Sequence, residues 1–144
     1  MIRDLLIPAL KREFPDQQID FSPEAPAIAA FPASQPAVGR VVIYDDGDEV
    51  TLSVEKISHG HFNPYDASLT EEEREKVIVE DVIEFLKALF SDRVLLHTSA
   101  DHRAGGWGRL DLEKEPIKFS PSQSYFLWSK PYQKRLTNHQ SQCR

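Results

Sequence analysis

Four histidines, His59, His61, His97 and His102, are the side chains of this sequence best suited to holding a metal ion. A neutral imidazole is a good zinc ligand, and a catalytic zinc site takes three protein ligands and leaves a fourth position for water. His59 and His61 are two residues apart, so on extended backbone their rings point to one side of the chain. His97 or His102 would supply the third nitrogen, and Asp101 a base, giving a metal-dependent hydrolase. Gly60 interrupts a regular strand between the first pair, and the two pairs together follow no established ligand spacing. The competing expectation is four exposed loop histidines and no cofactor.

Other clusters have simpler explanations. Asp45, Asp46, Asp48 and Glu49 offer oxygen ligands but lack the alternating positions and distal glutamate of a calcium loop, and a tight turn accounts for them. Gly105, Gly106 and Gly108 do not make a dinucleotide loop, because Asp111 stands where a third glycine belongs. They make instead a loop presenting Trp107, with Arg103 and Arg109 beside it, a composition suited to anchoring a protein partner. There is no Gly-x-Ser-x-Gly elbow, and Cys143 lies in a terminal stretch with no structured base. Glu80 and Glu84, one helical turn apart, read as a solvated face.

The elements that must position these residues are legible from patterning. Apolar residues at helical spacing from Ile2 to Leu10 predict a helix ending before Pro15, with Pro8 at its start or at a bend. Prolines 23, 26, 32 and 36 confine the next segment to one weak strand over residues 27–31. Asp46-Gly47 is the dipeptide of a type I′ hairpin turn. Registered on it, Ile43 faces Val50 and Val41 faces Leu52 on an apolar side, while Val42 faces Thr51 and Tyr44 faces Glu49 on a mixed one. Residues 56–67 read as a loop. A long helix follows over about 69–90, with capping-box spacing at Ser68/Glu71 and at Thr70/Glu73 and an acidic first turn. Its stripe of Ile78, Val82, Phe85, Leu86 and Leu89 is widened by Val79, Ile83 and Phe90 beyond what one sheet face needs, which points to burial on several sides or to a homodimer. Strands are expected at 94–97, around Leu110 and Leu112, and at 125–128.

The predicted fold class is α+β: an antiparallel sheet of about four to six strands, with the long central helix and the N-terminal helix on one face. One domain over 1–130 and a polar, basic tail over 131–144 suit a chain of 144 residues with 40% hydrophobic content. The order of helix, three strands, helix and two strands is similar to that of secretion chaperones, in architecture and without a shared motif.

Charge bounds the partner. The first 115 residues hold 12 Lys and Arg against 23 Asp and Glu, and the remaining 29 hold five bases and no acid. A net charge of −6 argues against nucleic acid, despite the mixture of Tyr125, Phe126, Trp128 and Tyr132 with Lys130, Lys134 and Arg135. One cysteine and no long apolar run predict a cytoplasmic protein off the membrane. The expected function is therefore a non-enzymatic protein-binding or accessory protein, of the inhibitor, antidote or chaperone-like kind. Its acidic surface would meet a basic protein, with Trp107, Arg103, Arg109, Val79, Ile83 and Phe90 as contact residues.

Overall fold

The computed structural model describes residues 1–115 and 117–132. Its first element, α1 (Ile2–Glu13), runs through Pro8 without breaking, the proline lying exposed while Ile2, Leu6, Ala9 and Leu10 form the buried stripe. Proline costs the helix one backbone hydrogen bond, which burial of the opposite stripe offsets.

Four strands follow as an antiparallel meander: β1 (Ala27–Phe31), β2 (Val41–Asp45), β3 (Val50–Val54) and β4 (Ser58–Phe62), in that spatial order. The β2–β3 hairpin departs from the predicted register. Ile43 faces Leu52, Val41 faces Val54, and the backbone N–H of Asp46 donates to Glu49 at 3.0 Å, so the two central residues are Gly47 and Asp48. Gly47 has φ +91 and Asp48 stays out of the positive region, the type II′ pattern with glycine at the first central position. Asp45 fixes this choice: its carboxylate accepts from the Gly47 N–H at 2.8 Å, leaving Asp46 to pair with Glu49. Because the shift moves each pairing by two residues, every side chain keeps its face, and Val41, Ile43, Val50, Leu52 and Val54 are all fully buried.

The expected loop at 56–67 begins instead as strand β4, which carries His59 and His61 on the edge of the sheet. Gly60 lies there because Trp107 occupies the space a side chain would need: a Cβ at Gly60 would sit 3.0 Å from the indole.

Helix α2 (Glu71–Phe90) starts at Thr70, which with Glu73 closes a complete capping box. It ends without a glycine. Asp92 takes the left-handed conformation at φ 62, with Arg93 N–H donating to Ala88 O and Asp92 N–H to Leu89 O, the Schellman pattern. The Asp92 carboxylate in turn accepts from the Ser129 backbone N–H at 3.0 Å, so one residue ends the helix and pins the segment near Trp128.

A second antiparallel sheet holds β5 (Val94–Ser99), β6 (Gly105–Arg109) and β7 (Gln123–Phe126) in the order β6-β5-β7. The strand predicted around Leu110 and Leu112 is thus displaced into the glycine-rich stretch, and Leu112 is an exposed turn residue. The glycines admit close backbone approach: a Cβ at Gly105 would stand 2.1 Å from Ile57 O, where β6 meets the chain entering β4.

One hydrophobic cluster joins α1, the inner face of the four-stranded sheet, α2 and β5. The wide stripe of α2 has its explanation in it. Val79 and Ile83 line a groove with Ala9 of α1, and Phe90 packs against Phe14, Phe31 and Trp128 with ring centroids 4.9–5.5 Å apart. The architecture is α+β as predicted, with its strands divided between two sheets. The predicted tail falls on 133–144, outside the described residues, apart from Pro131 and Tyr132, which pair back to β7.

Candidate functional site

Three stretches distant in sequence meet at one end of the molecule. The β2–β3 turn supplies Asp45, Asp46, Asp48 and Glu49, the connection after β4 supplies Asp66, and the first turn of α2 supplies Glu71, Glu72 and Glu73. They are held together by polar contacts to the turn. Asn63 Nδ2 donates to Asp48 O at 3.2 Å, the Arg74 guanidinium donates to the same carbonyl, and the Tyr65 hydroxyl donates to Glu49 Oε1 at 3.3 Å. Tyr65 itself is in the left-handed region at φ 52, with its N–H on Asn63 Oδ1. The Glu49 carboxylate beside it, first of all, raises the tyrosine pKa above its ordinary value. The Asp66 carboxyl is held below the ordinary range by the Ser68 hydroxyl and N–H, so it stays ionised.

On the outer face beside this end, His61 lies opposite Thr51 in the β3–β4 register. Its Nδ1 is 3.0 Å from Glu49 Oε2 and 2.9 Å from Thr51 Oγ1, and the Thr51 hydroxyl bonds to Asp46 Oδ2. The hydroxyl has one proton, which it gives to the aspartate; towards His61 it therefore accepts, as does the glutamate. These contacts assign the donor hydrogen to Nδ1 of His61. His59 is edge-on to His61 on the same face, centroids 5.3 Å apart.

The other two histidines belong elsewhere. His97 Nδ1 meets Gln123 Oε1 at 2.9 Å across the three-stranded sheet, and His102 Nδ1 lies 3.1 Å from Lys56 O with its backbone at φ 60. Among the described residues, the one group of three donors close enough to share a metal ion is Asp46, Glu49 and His61, and no group unites three of the four histidines. Asp101 is exposed, and the Ser99 hydroxyl, then the Arg103 N–H, hold its carboxyl below the ordinary range.

The expected contact residues are mostly engaged by the fold. Trp107 is half-buried over Gly60 and against Phe85, centroids 5.2 Å apart. Arg109 bonds Glu84 at 2.8 Å and Asp111 at 2.9 Å, with 16% of its side chain exposed, and it lowers the pKa of both acids. Val79 and Ile83 are 9% exposed and Phe90 is half-buried, while Arg103 stands exposed at the β5–β6 turn. A cleft of about 480 Å³ opens beside the three-stranded sheet, lined by His97, Trp107 and Tyr125 together with Glu113, Ile117 and Lys118.

Comparison of the chain with protein-family models, with curated proteins and with solved structures gives no match. No helix among the described residues is long and apolar enough to cross a membrane.

Proposed function

We propose that the chain is a non-catalytic accessory protein, of the inhibitor, antidote or chaperone-like kind, that docks a basic protein on its acidic end. The observation that carries this reading is the convergence of carboxylates from the β2–β3 turn, the post-β4 connection and the α2 N-terminus, with Arg74 as the cation among them. Like charges at one end of a fold repel and bring it no stability of their own. They do raise the encounter rate with a positively charged surface and select against acidic ones. Two of the three carrier segments are pinned by side-chain bonds to the turn, so the partner would meet a preformed array. The alternative, a metal-dependent hydrolase using His59, His61 and either His97 or His102, has no comparable support, since His61 shares its surroundings with carboxylates and His97 with Gln123.

Crosslinking in a lysate of the native host tests the proposal, with wild type beside an Asp46→Lys/Asp48→Lys/Glu72→Lys variant. Wild type is expected to capture a basic protein in a salt-sensitive manner, and the variant to lose it. Equal capture by both proteins, or capture by wild type that is indifferent to salt, contradicts the reading.

A further inference from the structure

We infer that Asp46, Glu49 and His61 form a binding site for a divalent transition-metal ion of the zinc class. One ligand atom from each lies within 4.8 Å of the others, and the His61 Nδ1 to Glu49 Oε2 separation is already 3.0 Å. Zinc bonds of about 2.0–2.1 Å in tetrahedral geometry place neighbouring donors roughly 3.4 Å apart. The closure still required is a rotation of surface side chains, since His61 is 46% exposed.

The same three residues share one hydrogen-bond network through Thr51. Glu49 and Thr51 both accept from Nδ1 of His61, and Thr51 spends its own proton on Asp46. A single hydrogen thus serves an imidazole nitrogen with two carboxylates gathered around it. Among the described ion pairs, neither Asp46 nor Glu49 has a Lys or Arg partner. A divalent cation at the position of that hydrogen would bond all three donors directly and balance both carboxylates. His59 lies on the same face with its ring 5.3 Å from that of His61, outside the group of three.

The donor set selects the ion. An imidazole with two carboxylates suits zinc and its first-row neighbours, whereas calcium takes six to eight oxygens and magnesium keeps its waters. The donors sit on an open sheet face, so the bound ion would brace β4 against the β2–β3 turn and remove negative charge from the acidic end, without enclosing a substrate. The inference stands apart from the docking proposal, because zinc binding is measured with no partner present.

Isothermal titration of the full, tag-free, chelator-treated chain with zinc chloride tests it. One zinc per chain is expected, with calcium and magnesium not competing. His61→Ala and Glu49→Gln should each weaken binding by at least about tenfold, the loss that removal of even an outer-shell partner brings. His97→Ala should bind like wild type. Circular dichroism of the surface variants checks that they fold, and the Nδ1 resonance of His61 should shift when zinc is added to wild type. The inference is overturned if no zinc binds, if both variants bind as wild type does, or if binding is lost instead on His139→Ala/Cys143→Ser.

Discussion

The acidic surface and the Trp107 loop, with Arg103 and Arg109 beside it, both read in sequence as partner-facing, yet the fold treats the acidic end and the Trp107 strand in opposite ways. At Trp107 the indole covers Gly60 and Phe85, and Arg109 spends its guanidinium on Glu84 and Asp111. At the acidic end, side-chain bonds hold the segments in place while Asp46, Asp48, Glu71 and Glu72 remain exposed. An aromatic beside arginines suggests an anchor, but here the fold engages part of the indole and the Arg109 guanidinium, leaving Trp107 half-exposed and Arg103 exposed. The docking proposal rests instead on the charge that the fold does not neutralise.

The comparison is sharpened most by substitutions in β6. Gly105→Val forces a side chain against Ile57 O and should cost about 3 kcal/mol or more, seen as a lowered midpoint in urea unfolding. Trp107→Ala should cost about 2–3 kcal/mol, below the full value for a buried tryptophan because the ring is half-exposed, and should leave capture of a basic partner intact. If Trp107→Ala folds as stably as wild type and loses the partner, the two regions have been assigned the wrong way round.

A smaller effect is expected at Arg109. It holds Glu84 and Asp111 below their ordinary pKa values, so their folded pKa values are lower than their unfolded ones. The stability they contribute is present above about pH 4 and is lost as pH falls through the folded values. Arg109→Gln should therefore lower stability slightly at neutral pH, read as a small drop in the urea midpoint, and flatten the acid limb of a pH–stability curve. The smallest effect should come from the acidic end: Asp48→Asn and Glu72→Gln should shift the thermal midpoint negligibly or slightly upward by relieving repulsion, while weakening association with a cationic partner.

Much of the scaffold was legible because its signals are local. Thr70 and Glu73 mark the start of α2, and alternation in 41–54 assigns faces correctly even where the register is off by two, since a shift of two preserves side-chain parity. The end of α2 is harder to read, because Asp92 takes the left-handed position usually given to glycine. Strands β4 and β6 are hidden by composition: Ser-His-Gly-His-Phe and Gly-Gly-Trp-Gly-Arg have no β-branched residues, and their glycines exist to admit Trp107, His97 and Ile57 O. The candidate site inherits that difficulty. His61 comes next to Glu49 and Asp46 only through the Thr51–His61 pairing, and a segment taken for a loop has no register to supply it. Gly60 between two outward histidines is the available signal, and it marks a close approach rather than an interruption of the strand.

The most direct test of the acidic end as the docking surface is backbone amide NMR of the full chain during titration with a lysine-rich peptide. Shift changes should gather at 45–49, 61–66 and 71–74 and fade as salt is raised. Changes centred instead on Trp107 and Arg103, or scattered without pattern over the surface, would contradict it.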